Sequence, residues 1–202
     1  SCGSVTAAVN VFMAKENNAR NIIIMKPDMI GLRQFSLAII PKHDRPPLRK
    51  NVVTTTLAPN LIDRDSMHEY GARLKERVNI EKNIVLGALI GGSNPGFTMT
   101  KDMVNKAISG IIEFCKAYDA DLLLTTSRRT PKEVETLIKE RLGKYGFCKL
   151  IVIANEKNME GAVAGILDLC DIVTVSGESV SMVSEAIHSG KKVVVFDLDN
   201  TV

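Results

Sequence analysis

The sequence has no tryptophan, and phenylalanine with tyrosine makes up only 4% of it. There is no evident set of rings on which bases or sugars would stack. A formal charge of +3 provides no broad cationic field, so nucleic acid is not an expected partner. Cysteine is sparse. Cys2, Cys115, Cys148 and Cys170 include no CxxC pair, and three of them lie beside apolar runs. This usage predicts buried, reduced thiols in a cytoplasmic protein. His43, His68 and His188 are scattered without ligand spacing, so no metal site is expected. No apolar run reaches membrane-spanning length and no signal peptide opens the sequence. The first residues, Ser1-Cys2-Gly3-Ser4, read as a loop without a starting Met. They suggest an N-terminal domain whose first part is missing.

What is present is core material. Hydrophobic residues form 45% of the 202, enough for one domain or two small ones. Residues 4–14 resemble a helix. Three short β-branched runs follow, at Ile22–Met25, Leu37–Ile40 and Val52–Thr55, punctuated by Pro27, Pro41, Pro46 and Pro47. Residues 57–64 suit a crossover, and 65–77 a charged helix capped by Asp65. Strands are expected at Asn83–Ile90, Asp121–Thr126, Leu150–Ala154, Ile172–Val175 and Val193–Phe196, with helices between them. Met103, Val104, Ala107, Ile108, Ile111, Ile112 and Cys115 fall on one helical face. A proline at position 131 suits a helix's first turn. The alternation predicts an α/β fold with parallel, Rossmann-like sheets. The expected division is 1–64, the end of one such domain, and 65–202, most of a second.

In such sheets ligands lie beyond the carboxyl ends of the strands. Four polar loops follow strands there: 91–96, 126–129, 155–158 and 176–181. They are expected to converge on one ligand. Gly91 and Gly92, with Ser93 and Asn94, would let a diphosphate approach the backbone. The loop is neither GxGxxG nor a P-loop, and a tight strand-to-helix turn explains it equally well. Ser127, Arg128 and Arg129 end a strand, where an arginine can fork onto phosphate, or simply be solvated. Ser176, Gly177, Glu178, Ser179 and Ser181 lie where a helix begins, with free N–H groups for a phosphate. Each charge-assisted bond there is worth roughly 1.5–3 kcal/mol, and the helix dipole about 0.3–1 more. An ordinary N-cap by Ser176 or Ser179 is the plainer alternative. Glu185, two turns in, would meet ribose hydroxyls.

His43 and Asp44 follow a strand and would pair as base and orienting acid. Neighbours on an extended segment point apart, so a polar turn is the default. Residues 196–202 look like the DxDxT phosphatase signature, but that signature opens a domain and here the sequence ends, so no phosphatase chemistry is expected.

GGSNPGF at 91–97, TTSRRTP at 125–131 and VSGESVSMVSEAIHSGKKVVVF from 174 resemble, in this order, the mitochondrial-fission "elongated mitochondria" family. PKHD at 41–44 and SCGSVTAAV at the start resemble its upstream elements. Ser179, Ser181, Met182, Ser184, Glu185 and Ala186 match its SxSMxSEA core, while Glu178 replaces its usual Asp. The family is classed with GT-B-type glycosyltransferases. The resemblance therefore implies two Rossmann-like domains, GT-B-like, and sugar transfer without a metal or other cofactor. The partners implied are a nucleoside-diphosphate sugar donor and a saccharide or lipid-linked acceptor, with peripheral membrane contact through the latter. A non-catalytic interaction protein and a sugar-nucleotide 2-epimerase are the alternatives. The epimerase needs paired acid and base carboxylates that the sequence does not display.

Overall fold

The computed structural model describes residues 1–197. Asp199 and Thr201 of the phosphatase-like motif lie outside the described residues. Two compact units divide between Asn60 and Leu61.

The first unit holds helix α1 (Ala7–Glu16) and three strands, β1 (Ile22–Ile24), β2 (Leu37–Pro41) and β3 (Val52–Thr55). The strands are parallel in the order β1-β2-β3. Ala7, Ile23, Phe35, Ala38 and Ile40 form the core. Residues 42–44 form a 3-10 turn after β2, in keeping with the polar turn expected there.

The second unit runs α2 (Arg64–Lys75), β4 (Ile84–Ile90), α3 (Lys101–Ala117), β5 (Ala120–Thr126), α4 (Lys132–Leu142), β6 (Cys148–Val152), α5 (Ala162–Leu169), β7 (Ile172–Ser176), α6 (Val180–His188) and β8 (Lys192–Phe196). All five strands are parallel, in the order β6-β5-β4-β7-β8. Strand side chains alternate between faces, so the sheet is apolar on both. Leu86, Ala88 and Ile90 of β4 join one core with Val104 and Ile108 of α3 and Val134 and Ile138 of α4. Val85 and Leu89 join the other with Leu74 of α2, Ile166 of α5 and Met182 and Ala186 of α6. This is a Rossmann-like α/β fold.

Helix α2 is capped by Asp63, not by Asp65. The Asp63 carboxylate accepts the Ser66 N–H at 2.9 Å, and the Ser66 hydroxyl accepts the Asp63 N–H at 3.3 Å. Asp-x-x-Ser closes this reciprocal box only from position 63. Among the described residues, no helix is long and apolar enough to cross a membrane.

Candidate functional site

Chain order reverses between β4 and β7, which lie side by side while their following helices pack on opposite faces. This topological switch point is where a crevice opens in doubly wound sheets. Gly91 and Gly92 leave β4 there, and Ser176, Gly177 and Glu178 leave or follow β7.

These loops are tied to one another. The Ser176 hydroxyl accepts the Gly91 N–H at 2.7 Å and donates to Glu178 Oε1 at 3.0 Å. The Gly91 carbonyl accepts from the Thr130 hydroxyl. The Ser93 N–H donates to the Arg129 carbonyl at 3.1 Å. A Cβ on Gly91 would stand 1.9 Å from Glu178 Oε1, and one on Gly92 would stand 2.2 Å from the Arg129 carbonyl carbon. The space the two glycines leave is filled by the protein itself. That differs from a glycine loop kept clear for a diphosphate.

The remaining loop side chains also shape backbone. Ser93 Oγ accepts the Met99 N–H at 3.0 Å, and Asn94 Oδ1 the Gly96 N–H at 2.9 Å. Ser127 Oγ accepts the Arg129 N–H at 3.2 Å, and the Ser127 N–H donates to Thr130 Oγ1 at 3.0 Å. The Gly177 N–H donates to the Phe196 carbonyl at 3.0 Å, extending the ladder to β8. Arg128 and Arg129 expose their side chains. Ser179 is buried at the N-cap of α6, and its hydroxyl makes no capping bond.

Glu178 is the charged member of the cluster. Burial pushes its carboxyl above the usual range, against the pull of its own backbone N–H, Ser176, the Gly92 N–H and Arg129. Its Oε2 is buried without a hydrogen-bond partner.

Glu185 lies elsewhere. It lines a cavity of about 440 Å³ with Thr125 and Thr126 from the end of β5, Asn158 from the loop after β6, Ala162 at the start of α5 and Ser66 of α2. Burial raises its carboxyl, and a 3.4 Å bond from the exposed Ser181 hydroxyl opposes this. None of the glycine-loop residues lines this cavity. The predicted residues thus fall into a packed cluster at the switch point and an open pocket around Glu185. A larger cavity, about 570 Å³, runs along edge strand β6. It shares Tyr70, Asn158, Met159 and Gly161 with the first but holds none of the predicted site residues. The smaller cavity is the better candidate because it gathers strand ends, a helix start and a half-buried carboxylate.

Thr125 and Ser66 escaped sequence reasoning. Thr125 carried a signal, since it is the last residue but one of a strand. Ser66 carried none as a lining residue, because only the fold brings α2 to this edge.

His43 belongs to the first unit. Its Nε2 stands 3.5 Å from Asp44 Oδ1. The 3-10 turn allows this approach, which an extended segment would prevent. Among the described residues, no group of three or more His, Cys, Asp or Glu is placed to hold a metal ion.

A family model described as Mitochondrial fission ELM1 matches residues 1–201. A search of curated proteins finds no match.

Proposed function

The chain belongs to the mitochondrial fission ELM1 family, and from that premise we propose that its second unit binds the donor of a glycosyl transfer, a nucleoside-diphosphate sugar. The observation that carries the reading is the cavity at the carboxyl edge of the sheet with a half-buried carboxylate in its wall. Glu185 accepts hydrogen bonds from the ribose hydroxyls. Thr125, Thr126 and Asn158 supply polar contacts around the nucleoside. The first N–H groups of α6, which begins at Val180 behind the buried Ser179, face the diphosphate. The exposed Arg128 and Arg129 neutralise charge that builds on the leaving diphosphate. The acceptor is a saccharide or lipid-linked group, with His43, oriented by Asp44, as the candidate base.

Isothermal calorimetry of the folded chain with UDP, GDP and dTDP sugars tests donor binding. One of them is expected to bind saturably, and Glu185→Ala to weaken it. No binding by any of the three sinks the proposal. A second reading, an interaction protein that keeps the fold without transfer, draws on the filled switch point, where Glu178 takes up the space that Gly91 leaves. Nucleotide binding without turnover in the presence of candidate acceptors would favour it.

A further inference from the structure

The first unit combines two features that the second does not. Residues 1–60 carry eight Lys and Arg against three Asp and Glu, a formal +5, so with +3 for the whole chain the remainder is net acidic. Large apolar side chains are also exposed there. Val5 is 93% exposed, Val9 62%, Phe12 60% and Met13 53%.

These four share a side. Val9, Phe12 and Met13 are spaced for one face of α1, and Val5 lies one turn before Val9. The opposite side is already satisfied, with Ala7 buried and Val11 packed on the core. Helix α1 is therefore apolar on two faces, while a helix on a water-exposed surface needs only one. Ile22 of β1, also exposed, adjoins the helix through the Asn10 amide, which donates to its carbonyl at 2.8 Å.

Cations flank this patch at both ends. Lys15 and Arg20 stand at the end of α1 and just beyond it. Lys26 stands near its start, where the Gly3 N–H bonds the Ile24 carbonyl at 2.9 Å and Ser4 Oγ bonds Asp28 at 2.7 Å. Of the nearby acids, Asp28 is engaged by Ser4, and Glu16 is the last residue of the helix.

We propose that this face docks on an anionic lipid bilayer, with Val9 and Phe12 entering the acyl boundary and Lys15, Arg20 and Lys26 among the headgroups. The 10-residue helix is too short to span, so it lies in the interface plane. A second copy is the poorer occupant, since two units of +5 repel. An anionic surface meets the cations and the apolar patch together. This docking is independent of the donor-site reading.

The test uses the full chain and vesicles of phosphatidylcholine, alone or mixed with phosphatidylglycerol. The protein is expected to sediment with the mixed vesicles, to be released by salt, and to stay free of the neutral ones. Lys15→Glu with Arg20→Glu is expected to weaken binding by roughly tenfold or more. Because the sequence has no tryptophan, Phe12→Trp is a single reporter whose emission should shift to the blue only with anionic vesicles. All three positions are exposed, and circular dichroism checks that the variants fold. No sedimentation with anionic vesicles, an unshifted emission from the Phe12→Trp reporter, or a protein complex through Phe12 in place of lipid binding overturns the proposal.

Discussion

The Ser176 hydroxyl holds the Gly91 amide at 2.7 Å, joining two loops that lie 85 residues apart in sequence. The same oxygen donates to Glu178. One buried serine therefore fixes both sides of the switch point, and its two bonds set the position of the only charged side chain in the crevice cluster that is partly buried.

Ser176→Ala removes both bonds and leaves the buried Gly91 N–H without its partner. The expected loss is about 1–3 kcal/mol of unfolding free energy, read from urea denaturation. Gly91→Ala should also destabilise, because its Cβ would stand 2.8 Å from the Cβ of buried Ser179, which cannot swing aside as the Glu178 carboxylate can. An unchanged urea midpoint in both variants would show that the two loops are not coupled.

Glu178 and Glu185 both have carboxyls raised by burial. A group that holds its proton more tightly when folded favours folding below its unfolded value, about 4.3 for Glu, and loses that contribution as pH climbs through its raised folded value. Stability of the second unit should therefore fall as pH rises across that window. Glu178→Gln should flatten part of the fall, as followed by urea midpoints taken at several pH values. A steeper fall in the variant would contradict the assignment.

Three thiols are shielded. Burial pushes Cys115 and Cys170 up to about 12 and Cys148 up to about 11, while Cys2 is exposed. Since the thiolate is the reactive form, a disulfide reagent at mildly alkaline pH should label Cys2 quickly in the folded protein. The other three should react only on unfolding, as mass spectrometry of the labelled peptides would show. Rapid labelling of Cys170 would mean that the core between α5 and the sheet opens readily.

Much of the second unit was legible in the sequence, for a physical reason. Strands buried on both faces leave unbroken apolar runs, so Ile84–Ile90 and Ala120–Thr126 stand within a residue of the expected spans. The face of α3 was equally plain, because burial of Val104, Ile108, Ile111 and Cys115 imposes a helical period. Caps were less legible. Asp63 and Asp65 are both chemically competent, and only the Ser66 geometry selects the first. The site was half legible. Position after a strand singled out loops that the fold brings into contact at the switch point, but composition could not say whether Gly91 and Gly92 clear space for a ligand or for Glu178. That depends on which residues the fold presses against them, over separations that no local pattern records. For His43 and Asp44 the sequence left both a pairing and a plain polar turn open, because a 3-10 turn of three residues leaves no periodicity to fix where the two side chains point.

Glu185 separates the two functional readings. Its carboxylate is raised by burial, so it does not serve the fold well as a charge. Its one side-chain bond is a long one, 3.4 Å from the exposed Ser181 hydroxyl. Replacing it with Gln should leave stability unchanged or slightly raised, since a desolvated charge is removed at the loss of one weak bond. If it receives ribose hydroxyls, the same change should weaken sugar-nucleotide binding roughly tenfold, the scale of a lost charge-assisted hydrogen bond of about 1.5 kcal/mol. Thermal unfolding and calorimetry on the same variant give the two readouts. Lower affinity at undiminished stability supports a donor site. Equal affinity in the variant and the parent chain removes Glu185 from the site and places the nucleotide elsewhere along the sheet edge.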